Sequence, residues 1–257
     1  MNPYLAEFIG TCILLIFGDG VVANVVLAKT KGNGGGGGGA WIVITFGWGM
    51  AVFIAVFCVG SFSGAHLNPA VTIGLATAGK FAWASVPGYI AAQMLGAFVG
   101  AVLIYAFYRR HFELTTDADL KLAVFCTAPN VRDPVTAIFC EILGTFLLVF
   151  PIFLMSDPTF QMATGTESPH TLKLGLGALG ALPVGLLVFA IGLSLGGTTG
   201  YAINPARDLA PRIAHALLPI PGKRDSDWGY AWIPVVAPII GAILAAITNR
   251  ALLDVKP

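Results

Sequence analysis

The sequence predicts an all-α membrane protein: six transmembrane helices plus two re-entrant half-helices, arranged as an inverted repeat of two halves. Three observations carry this. Of 257 residues, 56% are hydrophobic and 11% charged, with a mean hydropathy of +0.82, whereas a soluble domain carries about 25% charged residues. Six apolar runs reach spanning length. Asn68-Pro69-Ala70 returns as Asn204-Pro205-Ala206, and each triplet opens an apolar stretch too short to cross a bilayer.

In order, the spanning runs cover about 4–28, 41–62, 83–108, 135–155, 174–196 and 231–253, each near the ~20 residues that a crossing helix needs. The first starts at Tyr4 without a basic leader and is too long for a signal core, so no cleavable signal is expected. Glycines recur inside these runs, as at Gly47 and Gly49, Gly96 and Gly100, and Gly175 and Gly177. Small residues at such spacing let helix backbones approach closely in lipid. The half-length segments run from Asn68 to about Gly79 and from Asn204 to about Leu218. Asn caps the free N–H groups of a helix start, and Pro fits the first helical position. A dozen residues at about 1.5 Å each span roughly 18 Å, about half of a ~30 Å hydrocarbon core. Between spans, 29–39 with its six consecutive glycines reads as a flexible loop, while 111–134, 157–173 and 222–227 are polar connections. Trp83, Trp228, Tyr230 and Trp232 fall near span ends and fit interfacial belts.

A repeat organises these elements. Glu7-Phe8-Ile9-Gly10-Thr11 matches Glu141-Ile142-Leu143-Gly144-Thr145 at an offset of 134, and Ser63 to Ala70 matches Thr199 to Ala206 at 136. Residues 1–257 therefore read as a single transmembrane channel domain, with halves of about 1–110 and 135–257 joined by loop 111–134. Each half makes three crossings, an odd number, so the halves lie in opposite orientations. Inverted repeats of this kind place their site near the midplane, at the broken helices.

Two half-helix N-termini then converge, each carrying about half a positive charge. Cations, hydronium included, meet a barrier there that neutral solutes do not. Asn68 and Asn204 can cap through oxygen and still donate N–H to a passing hydroxyl. The non-helical residues before them, Gly64, Ala65, His66, Leu67 and Gly200, Tyr201, Ala202, Ile203, survive at membrane depth only by lining water or by packing in protein, and their carbonyls are expected to form an acceptor ladder opposite an apolar wall. His66 is expected to be held in the loop, exposing its carbonyl. A carboxylate within a span is expensive. The matched placement of Glu7 and Glu141 assigns them the loops before each half-helix, since a proton relay needs a chain of titratable groups that these spans lack. Asp19, between two glycines, is either hydrogen-bonded near a channel mouth or satisfied inside the bundle. Arg207 breaks the repeat, which has Val71 at that place. It is a permanent cation that repels cations and donates up to five hydrogen bonds, and Asp208 orients it or the neighbouring backbone.

The segments Ser63 to Thr72 and Gly200 to Asp208 resemble the aquaporin (major intrinsic protein) family, specifically its glycerol-facilitator branch, and the likeness covers nearly the whole chain. The resemblance implies a homotetramer with one pore per subunit in the cell membrane (plasma or bacterial inner), passive conduction, and both termini in the cytoplasm. It maps the narrowest part to Trp48, Gly192, Tyr201 and Arg207. Gly192 is expected to free space, two aromatic faces to pack the CH backbone of a polyol, and Arg207 with carbonyls to take its hydroxyls. Tyr201 departs from the Phe common in bacterial glycerol facilitators, and its hydroxyl narrows or polarises the filter. The expected function is a passive channel for glycerol and small uncharged polyols, with water and urea as further solutes and ions excluded. Alternatives are a predominantly water-conducting member, a coupled secondary transporter, or an adhesion protein with a closed pore.

Other classes are disfavoured. No nucleophile, metal cluster or phosphate loop is apparent, so no enzyme and no cofactor is expected. A net charge of +1 argues against a nucleic-acid partner. Cys12, Cys58, Cys126 and Cys140 lack metal or redox spacing and read as buried small residues. One signal opposes the implied orientation. It puts Lys80, Lys173, Arg250 and Lys256 inside, and Lys29, Lys31, Arg109, Arg110, Lys121, Arg132, Arg212, Lys223 and Arg224 outside, against the positive-inside tendency.

Overall fold

The computed structural model describes residues 1–33, 40–156, 159–162, 170–173 and 175–253, of which 159–162, 170–173 and 253 by backbone alone. The glycine run 34–39 and much of the 157–173 connection lie outside the described residues. The helices are α1 (Pro3–Val26), α2 (Ala40–Ser63), α3 (Pro69–Thr77), α4 (Val86–Leu114), α5 (Ala118–Ala123), α6 (Pro134–Leu154), α7 (Leu182–Leu195), α8 (Pro205–Leu217) and α9 (Ile233–Leu253). Six of them, α1, α2, α4, α6, α7 and α9, are long and apolar enough to cross a membrane, α4 and α7 together with the short 3-10 turns that lead into them.

Some boundaries differ from expectation. α4 continues to Leu114, and the linker after it carries α5. That helix owes its start to Asp117, whose carboxylate accepts from Asp119 N and Leu120 N at 2.8 and 3.2 Å. Six residues give no apolar period to read. α7 begins at Leu182, after a 3-10 turn over Gly177–Ala181. Within 157–173 a short antiparallel hairpin pairs β1 (Thr159–Met162) with β2 (His170–Lys173), where only a loop was expected.

Water-free packing between helices depends on close backbone approach, because lipid offers no hydrophobic drive between apolar surfaces. The glycines supply it. A Cβ on Gly96 of α4 would overlap the Phe8 carbonyl of α1, and one on Gly49 of α2 would lie 2.8 Å from the Gly185 carbonyl of α7. Large apolar side chains such as Leu95, Phe107 and Phe139 face outward, as lipid contact requires. Of the four thiols, only Cys126 is fully buried; Cys12, Cys58 and Cys140 are half-buried.

Trp83, Trp228 and Trp232 are exposed, but Tyr230 is buried. This corrects its assignment to an interfacial belt: the ring lies beneath the guanidinium carbons of Arg132 and Arg212, at 5.8 and 5.9 Å. The basic residues placed outside are largely consumed by structure. Arg212 and Lys121 are buried, and Lys121 donates to the Pro221 carbonyl. Lys223 donates to the carbonyls of His215, Ala216 and Leu218 at 2.6 to 2.7 Å, closing the C-terminus of α8. Arg132 pairs with Asp227, Arg224 with Asp119, and Arg109 and Arg110 with Glu113. Charges held this way serve the fold.

Replacing Gly96 with Val should destabilise the protein by about 1–3 kcal/mol, since the obstacle is backbone and cannot swing aside. A thermal melt in detergent checks this; an unchanged transition would count against backbone-level packing of α1 on α4.

Candidate conduction site

The site starts from two short helices. α3 has 9 residues and α8 has 13, and each begins with Pro behind an extended Asn cap. Asn68 Oδ1 accepts from Ala70 N at 2.8 Å. Asn204 Oδ1 accepts from Ala206 N and Arg207 N at 3.0 and 3.2 Å. The amide donors cross over. Asn68 Nδ2 donates to the Ile203 carbonyl at 2.8 Å, and Asn204 Nδ2 donates to the Leu67 carbonyl at 2.9 Å. Each amide has two N–H bonds, so one hydrogen of each remains for a solute.

The loops leading into both Asn residues are strained. Ala65 and Leu67 have φ of 48° and 52°, Tyr201 and Ile203 of 41° and 44°. An L-residue in this region pays about 1–2 kcal/mol, and a β-branched residue such as Ile203 is rarer still. Two carboxylates offset that strain. Glu7 Oε1 accepts from Ser63 Oγ at 2.6 Å and His66 N at 2.9 Å, while Oε2 accepts from Leu67 N at 2.7 Å and Gln93 Nε2 at 2.8 Å. Glu141 Oε1 accepts from Thr199 Oγ1 at 2.7 Å and Ala202 N at 2.9 Å, and Oε2 from Ile203 N at 2.8 Å. Both acids are fully buried.

In a planar trans peptide the C=O opposes the N–H. The carbonyls of Ala65, His66, Tyr201 and Ala202 therefore point away from the carboxylates. These four residues line a cavity of about 150 Å³, together with Gly64, Leu67, Ile203, both Asn residues, Trp48, Arg207 and apolar side chains such as Val52, Val56 and Val188. The expected ladder is thus shorter than eight. Leu67 and Ile203 spend a carbonyl lone pair on the opposing Asn, and Gly200 is not among the lining residues. His66 is held as expected, with Nδ1 3.1 Å from Thr72 Oγ1 and its ring against Phe81 and Tyr89.

Among the residues expected at the narrowest part, the Arg207 guanidinium carbon lies 4.1 Å from the Trp48 ring centroid. Such stacking contributes about 0.5–2 kcal/mol. Nη1 donates to the Phe125 carbonyl at 3.4 Å, a long bond. Gly192 requires a correction. It does not line the cavity, and the room it leaves is taken: a Cβ there would sit 2.8 Å from Tyr201 Cζ, 2.9 Å from its hydroxyl and 2.9 Å from Thr45. Its carbonyl accepts from Trp41 Nε1 at 3.1 Å, and Trp41 meets the Tyr201 ring edge-on. Among the described residues the Asp208 carboxylate makes no hydrogen bond or ion pair with the Arg207 guanidinium. It accepts from Thr127 N and Oγ1, both at 2.7 Å, and pairs with the buried Arg212 at 2.7 Å, so it fixes neighbouring backbone. Asp19 is fully buried and neither oxygen has a hydrogen-bond partner, which matches neither expectation for it.

Several supporting residues escaped the sequence reading. Gln93 was a lone amide in a span. Arg212 follows Asp208 by four positions, the spacing of a helical ion pair. Trp41 precedes Trp48 by two helical turns on the same face. Phe125 acts through its backbone carbonyl and leaves no side-chain signal, and Thr127, which uses its backbone and its hydroxyl, lies 81 residues from Asp208 in a segment with no motif.

Six membrane-length helices around a buried, amide-crossed cavity define a multi-pass membrane transport protein. Residues 1–249 match the family described as Major intrinsic protein, and the chain belongs to that family. It is 56% identical over 252 residues to a probable glycerol uptake facilitator protein of Thermotoga maritima, covering 96% of this chain and 97% of the relative. It is 53% identical over 247 residues to a glycerol uptake facilitator protein of Streptococcus pneumoniae, with 96% and 97% covered. Its fold is similar to the X-ray structure of the aquaglyceroporin from Plasmodium falciparum, with a TM-score of 0.78, 31% identity and coverage of 99% and 98%.

Glu7 holds four partners and Glu141 three. Glu7→Gln should therefore cost about 3 kcal/mol or more, since one acceptor becomes a donor facing backbone N–H, and Glu141→Gln should cost less. Paired thermal melts of the two purified variants test this; equal transitions, or none shifted, would contradict the loop-anchoring account.

Proposed function

We propose that this protein is a passive channel conducting glycerol and small uncharged polyols, with water and urea as further solutes, and excluding ions and protons. The observation that carries the reading is the Arg207 guanidinium carbon 4.1 Å from the Trp48 ring centroid at an otherwise apolar cavity wall. A polyol has the same two-sided character: the indole takes its CH edge, while free guanidinium N–H groups and the carbonyls of Ala65, His66, Tyr201 and Ala202 take its hydroxyls. Asn68 and Asn204 offer their remaining hydrogens midway. The names carried by the similar chains support the same solute. Cation exclusion follows from Arg207 and two helix N-termini facing the same passage.

In this reading α3 and α8 are re-entrant half-helices of an inverted repeat, about 1–110 and 135–257, and the supports given by Glu7 and Glu141 are its matching parts. The protein acts as a homotetramer in a cell membrane, plasma or bacterial inner, with both termini in the cytoplasm. The loop charges that oppose this orientation are mostly spent on ion pairs and carbonyl caps, which weakens the objection.

Stopped-flow light scattering on proteoliposomes tests the function. Glycerol influx should exceed that of protein-free vesicles and need no ion gradient; a requirement for a proton or sodium gradient would overturn the channel reading. Gly192→Ala should displace Tyr201 into the passage and lower glycerol permeability more than water permeability; equal loss of both would refute the filter's geometry. Arg207→Val should raise proton leak, read with a trapped pH dye, and an unchanged leak would assign exclusion to the half-helices alone.

A further inference from the structure

Asp19 is the one buried acid in a described span for which neither the loops nor the cavity accounts. It lies on α1 with no exposure, and both carboxyl oxygens lack a hydrogen-bond partner. A buried carboxyl left so is costly unless water or a countercharge meets it. Its surroundings are the back of the filter. A Cβ on the preceding residue, Gly18, would overlap the Trp48 ring, and that ring carries Arg207 on its face. Asp19 stands within coulombic range of Arg207 and Asp208. Arg207 is the complementary case. It has five N–H donors, and among the described residues its guanidinium makes a single hydrogen bond, the 3.4 Å one to Phe125. Arg207 lines the cavity and Asp19 does not, so a pull from Asp19 is directed away from the passage.

We propose that Asp19 is a positioning residue for the filter cation: through ordered water between its carboxyl and the Arg207 guanidinium, it draws that group back against Trp48 and keeps the passage wide enough for a polyol. The inference rests on the channel reading above and adds a residue that sets its specificity. No solute contact is assigned to Asp19 itself.

A double-mutant cycle in proteoliposomes tests it, reading the ratio of glycerol to water permeability in the same vesicles. Asp19→Val should lower the ratio about threefold or more, and the same change made in Arg207→Val should leave it unmoved, as for a directly coupled pair. Asp19→Asn, equal in size and keeping one acceptor, should fall between wild type and Asp19→Val. A ratio indifferent to Asp19→Val, or shifted equally in both backgrounds, overturns the proposal; a structural role alone would scale both permeabilities together. Wild-type vesicles without glycerol flux would instead overturn the functional reading, and the proton-to-water ratio of the same set then reads the coupling by itself.

Discussion

Two buried carboxylates hold the rest of this structure in place. Glu7 and Glu141 each gather a hydroxyl and two successive backbone N–H groups from a segment that no regular structure supports. The segments have left-handed residues that are not glycine, a conformation that relaxes unless its surroundings over-determine it. Charge-assisted bonds of about 1.5–3 kcal/mol each are of the size required. Because the N–H groups are turned toward the acids, the carbonyls are turned toward the cavity. The strain and the solute-facing surface are two sides of one arrangement.

The halves are not equivalent copies. Glu7 gains a fourth partner in Gln93, which also reaches Thr72, while Glu141 has no such amide. On the other side, α8 carries Arg207, Asp208 and Arg212 where α3 has the uncharged Val71, Thr72 and Ala76. Asp208 and Arg212 tie the 125–127 backbone to α8, and the Phe125 carbonyl from that stretch meets Arg207. The surroundings of Arg207 are thus built outward from an ion pair one turn behind it. Repetition supplies the support of the loops, and departures from repetition supply the buried charges beside the cavity.

Much of this was legible in the residues. The Asn-Pro-Ala triplets, the matched acids and the Val71-to-Arg207 break each pointed to their place, because each is a local signal with one physical cause. What stayed hidden depended on tertiary contact. Gly192 reads as empty space until Tyr201 is seen to fill it. Asp208 reads equally as a support for Arg207 or for the neighbouring backbone until Thr127 and Arg212, four residues on, claim it. Tyr230 reads as a belt residue at a span end until Arg132 and Arg212 fold over it. The hairpin at 159–162 and 170–173 and the six-residue α5 are too short for any periodicity to announce.

The crossed amides have a mechanical consequence. Asn68 is bonded to the loop that ends at Asn204, and Asn204 to the loop that ends at Asn68. Sliding either half-helix along the passage breaks both links together, so the two move as one welded joint. Machines that expose a site alternately to each side need their halves to rock past one another, and here that stroke would have to part both amide links at once. A side chain swinging at either end of the cavity parts neither link.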